Sequence, residues 1–77
     1  MLTLYQPVTY QIKVLGVLDD QWSDWNGGMT LAVESHENDL PITTLTGSVD
    51  QAALHGLLRR LYSLGLPLIS VNCIEVG

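Results

Sequence analysis

Two stretches and two single side chains of this sequence have the residue types that chemistry needs. The first stretch is "DDQWSDWNGG", residues 19–28, which holds three of the eight acidic residues and both tryptophans. Acids near a glycine suggest a cation loop. A helix–loop–helix calcium site, however, needs oxygen ligands at alternate positions, glycine at the sixth and glutamate at the twelfth. Counted from Asp20, the third position is Trp22 and the twelfth Leu31; counted from Asp24, the sixth is Met29. That spacing excludes a calcium loop of this type and leaves Asp19, Asp20 and Asp24 as a solvated acidic connection. The second stretch is His36 with Glu34, Glu37 and Asp39. A single histidine among turn carboxylates is more simply solvated than metal-bound, so no metal and no cofactor is expected.

His55 is the first of the single residues. On a helix, Gln51, His55, Arg59 and Tyr62 fall on one polar stripe. Histidine titrates near neutrality, and a guanidinium takes carboxylate or phosphate in a fork. The stripe is therefore a candidate anionic-ligand site. Catalysis there would need a nucleophile held by an orienting base, and the sequence places none beside it, so no catalytic residue is expected. Cys73, the only cysteine, alternates inward on the last strand and reads as an inert buried thiol. "NGG" has neither the glycine spacing nor the lysine of a phosphate loop.

The elements that hold these residues follow from periodicity. Residues 8–18 alternate, with Val8, Tyr10, Ile12 and Val14 on one face, which predicts a strand. Its second face starts polar and turns apolar at Leu15 and Val17. Gly16 stands where a bulge or a close backbone approach is expected. Residues 28–35 alternate again, and "ITTLTG" at 42–47 is a third strand that Pro41 starts or confines to an edge. Leu54, Leu57, Leu58, Leu61 and Leu64 recur at helical steps over 51–64. Asp50, or Ser48 with Gln51, caps the start. Gly65 and Pro67 end the helix. Gly56 inside it suggests close packing against the sheet or a partner. "LPLISVNCIEV" is the last strand.

The result is one α+β domain over residues 1–77, a four-stranded, mainly antiparallel sheet with one helix in the order β-β-β-α-β. A meander of the first three strands, with the fourth beside the first, gives the spatial order 4-1-2-3. If residues 19–27 form a short helix instead, the layout is ferredoxin-like with a reduced first helix.

The motifs "WSDWNGGMTL", "DQAALHGLL" and "LGLPLISV" resemble an uncharacterised family of small bacterial one-domain proteins. Its members carry W-S-x-W, D-Q-A-A-L-H-G-L-L and L-G-L-x-L-L-S-V segments, and Asn26 stands where an aromatic is usual. The resemblance implies no activity.

Composition bounds the partners. With net charge −5 and three cations in all, the chain lacks the basic face that nucleic acid requires. No apolar run approaches the ~20 residues of a membrane span, and the N-terminus has no signal-peptide pattern. A lone cysteine fits the cytoplasm. Charged residues make up 14% of the chain, against about 25% on average, and a domain this small has little core of its own. Both facts predict a homo-oligomer, or another protein as partner, and a non-enzymatic interaction or regulatory module. Trp22, Trp25, Leu15 and Val17 are the expected contacts. The simplest role of each tryptophan, however, is to cover the end or the uncovered face of the sheet, where burial stabilises by about 4–6 kcal/mol gross; the same surface could bury against a partner instead.

Overall fold

The structure, a computed structural model of the chain, describes residues 5–19, 22, 29–35 and 40–75. Four strands, β1 (Val8–Leu15), β2 (Thr30–Ser35), β3 (Pro41–Val49) and β4 (Leu68–Glu75), form one sheet, and α1 (Gln51–Ser63) joins β3 to β4. The fold is α+β, and every strand pairing is antiparallel.

The strand order is β2-β3-β1-β4, so the first three strands are not a meander. β1 pairs with β3, through Ile12 opposite Leu45, and β3 separates β1 from β2. Since both flank β3 antiparallel, β1 and β2 run parallel. Parallel strands of one sheet need a long crossover rather than a tight turn, and residues 16–29 connect the two. This is the strand order of the ferredoxin-like layout. The short helix that layout allows over 19–27 lies, apart from Asp19 and Trp22, outside the described residues.

Both crossovers cover the same face. Val8, Tyr10, Ile12 and Val14 of β1 pack with Leu45 and Val49 of β3, with Leu54, Leu57 and Leu61 of α1, and with Leu18, Trp22 and Met29 of the first crossover. The leucine stripe is therefore not the sole cover of the sheet; Trp22 shares that role. The opposite face does not turn apolar as its first strand suggests. Gln11 and Lys13 of β1 pair with Thr46 and Thr44 of β3 and with Asn72 and Ser70 of β4. Lys13 Nζ also lies 3.7 Å from Glu34 Oε1. Both side chains are well exposed, so the pair contributes little stability. Leu15 and Ile42, paired at one end, are an apolar corner of an otherwise mostly polar surface.

The helix ends as its sequence dictates. Asp50 is extended and its Oδ1 accepts from the Ala53 amide at 2.8 Å, which fixes the cap there rather than at Ser48. At the other end Gly65 takes φ +76°. Its amide donates to the Tyr62 carbonyl at 2.9 Å and the Leu66 amide to Leu61 at 3.4 Å. This crossed pair is the Schellman arrangement, which needs a left-handed residue after the cap. Pro67 follows, and the chain turns into β4. Gly56 does not serve a close approach to the sheet: a Cβ there meets nothing within 4 Å.

Candidate functional site

Gln51, His55, Arg59 and Tyr62 do lie along α1, but the structure does not gather them into a pocket. Gln51 Nε2 donates to Tyr10 Oη at 2.7 Å. That bond ties the helix start to the sheet, the fastening role that a boundary residue on this stripe can fill, here taken by Gln51 and not His55. His55 and Arg59 are exposed. Tyr62 is 84% exposed.

Trp22 is 8% exposed and belongs to the chain's own core. The Arg60 guanidinium lies over its ring, 5.5 Å from the centroid. The indole thus plugs the space between crossover and helix and covers part of the sheet. Trp25 lies outside the described residues. Leu15 is half-buried on the polar face and Val17 is 62% exposed. Cys73 departs from expectation. It pairs with Tyr10 and so shares the core side of the sheet, yet it is exposed, because β4 is an edge strand.

Two adjoining grooves lie where α1 ends. One, of about 380 Å³, is lined by Leu58, Leu61 and Tyr62 of α1 and by residues 65–68. The other, of about 320 Å³, is lined by Val17, Leu18, Asp19, Trp22, Leu64 and Leu66. Leu66 belongs to both. Neither is lined by His55, Arg59 or Gln51. Gly16 sets this neighbourhood. Its φ is +126°, and a Cβ on it would stand 2.8 Å from Leu66 Cδ2, the close approach anticipated at that position. Its amide donates to the Pro41 carbonyl at 2.9 Å. Its carbonyl accepts from the buried Thr43 hydroxyl at 2.7 Å.

Among the described residues no group of three or more His, Cys, Asp or Glu is placed to hold a metal ion. Asp20, Asp24, His36, Glu37 and Asp39 lie outside them. No described helix is long and apolar enough to cross a membrane.

Residues 9–72 match the family described as "Domain of unknown function (DUF8691)". The chain belongs to that family. No curated protein and no solved structure matches the chain. Family membership therefore brings a shared domain without an assigned activity, and the functional reading rests on the surface just described. Of the residues that line the grooves, the sequence marks Val17 as an expected contact and Tyr62 as part of the polar stripe of the helix. Leu64 and Leu68 were assigned to helix and strand, and nothing in their spacing marks them as exposed.

Proposed function

We propose that the protein is a non-catalytic interaction or regulatory module that self-associates through the apolar surface at the end of α1. One observation carries the reading. Residues 61–74 contain no charged side chain. Within that run Tyr62, Leu64, Leu68, Ile69 and Ile74 are each about half exposed or more, five of the nine exposed large hydrophobics among the described residues. Single exposed apolar residues are ordinary, but exposed apolar side chains gathered at grooves mark an interaction surface; Tyr62, Leu64 and Leu68 line the two grooves, while Ile74 lies toward the far end of β4, between the residues paired with Tyr10 and Thr9. Val17 extends the group across the second groove. The self-associating unit is a homo-oligomer, with other proteins as further partners, and its single exposed thiol suits the cytoplasm.

An anionic-ligand site at His55 and Arg59 has less support, because the grooves lie elsewhere and no charged side chain lines the larger one. Sedimentation velocity across micromolar concentrations tests the proposal. A concentration-dependent shift to a larger species is expected; a monomer throughout overturns it.

A further inference from the structure

We infer that two copies meet face to face around Leu66, with Tyr62 of each copy seated against the larger groove of the other, and do not join their sheets edge to edge. This rests on the self-association proposed above and names its geometry.

The occupant follows from charge. Each copy carries −5, so copies repel wherever acids face one another, and the uncharged run 61–74 is where they can approach. A basic partner would be drawn to the acidic surface, not to this run. A second copy presents the same surface, and a twofold axis lets each residue meet its counterpart's neighbour reciprocally. Tyrosine at 84% exposure beside an open groove of about 380 Å³ is the side chain best suited to anchor such a contact. The groove's leucines and Pro67 match its ring.

The alternative, β4 pairing with β4 of the copy, is disfavoured by the strand itself. Its register against β1 shifts between Thr9 and Tyr10 and again between Lys13 and Val14. Ile69 and Ile74 are skipped in that register, leaving Ser70–Cys73 as the regular stretch. Irregularities of this kind bend an edge strand and blunt it against further pairing.

The test combines sedimentation equilibrium with amide exchange on the full chain. Tyr62→Lys and Leu64→Lys place a charge on exposed positions, and circular dichroism confirms that each variant folds. Each is expected to weaken self-association about tenfold or more. Val33→Lys, at an exposed position of the opposite edge strand β2, is expected to leave it unchanged. Amides of Ser70–Cys73 are expected to exchange equally in monomer and dimer. Dimers that survive both lysine substitutions, or that protect the β4 amides, overturn this geometry while leaving self-association standing. A wild-type chain that is monomeric at every concentration overturns both.

Discussion

The Arg60 guanidinium stands 5.5 Å from the centroid of the Trp22 ring, joining the last turn of α1 to the crossover between β1 and β2. The two residues are far apart in sequence and come from the two connections that cover the same sheet face. Arg60 also suits its place in the last helical turn, where a cation meets the negative end of the helix dipole. A buried indole with a cation over it is a fastening that needs no ligand to explain it.

Trp22→Ala should therefore destabilise the isolated chain by about 3–5 kcal/mol, as large aromatic truncations in cores do. Arg60→Ala should cost about 0.5–1 kcal/mol. Urea denaturation of the single and double variants measures the coupling between them. A Trp22→Ala chain with unchanged stability would show that the indole is not part of the core.

Two glycines should respond in opposite directions. Gly16→Ala forces a side chain onto φ +126° and against Leu66 at 2.8 Å, and is expected to destabilise by about 1–3 kcal/mol. Gly56→Ala meets open space in the middle of α1, and should stabilise by about 1 kcal/mol from helix propensity alone. Thermal melts of the two variants under one buffer give the signs directly; loss of stability at Gly56→Ala would mean that something occupies the space above it.

The contrast between what was and was not readable in the sequence follows from range. The caps of α1 were legible because Asp50, Gly65 and Pro67 act on backbone groups within a few residues. Gly16 was legible as an exception to a β pattern. Strand order was not, because which strand lies beside β1 depends on whether the fourteen residues 16–29 fold back as a loop or cross the sheet. Alternation gives each strand two faces and no neighbour. The same gap misled the reading of Cys73: facing the core side means burial only under the helix, and β4 lies at the edge.

Thr43 offers a check on the junction where β1 ends. Its side chain is fully buried, and its hydroxyl donates to the Gly16 carbonyl at 2.7 Å. Valine keeps the shape and removes the donor, leaving the carbonyl short of a partner. Thr43→Val is expected to cost about 1–3 kcal/mol, measured by chemical denaturation. Thr46→Val, on the other face of β3 and half-buried, serves as the comparison and should be close to neutral.

Salt should strengthen self-association rather than weaken it. Two copies of charge −5 repel over a distance set by the Debye length, about 30 Å at 0.01 M ionic strength and about 8 Å at 0.15 M. The contact proposed here buries uncharged apolar surface, so screening removes a penalty and takes nothing from the attraction. The dimer dissociation constant should fall as sodium chloride is raised between those two concentrations, by sedimentation equilibrium at fixed pH. A constant that rises instead would mean that ion pairs hold the copies together, with Arg59 and Arg60 the exposed cations beside that surface in sequence.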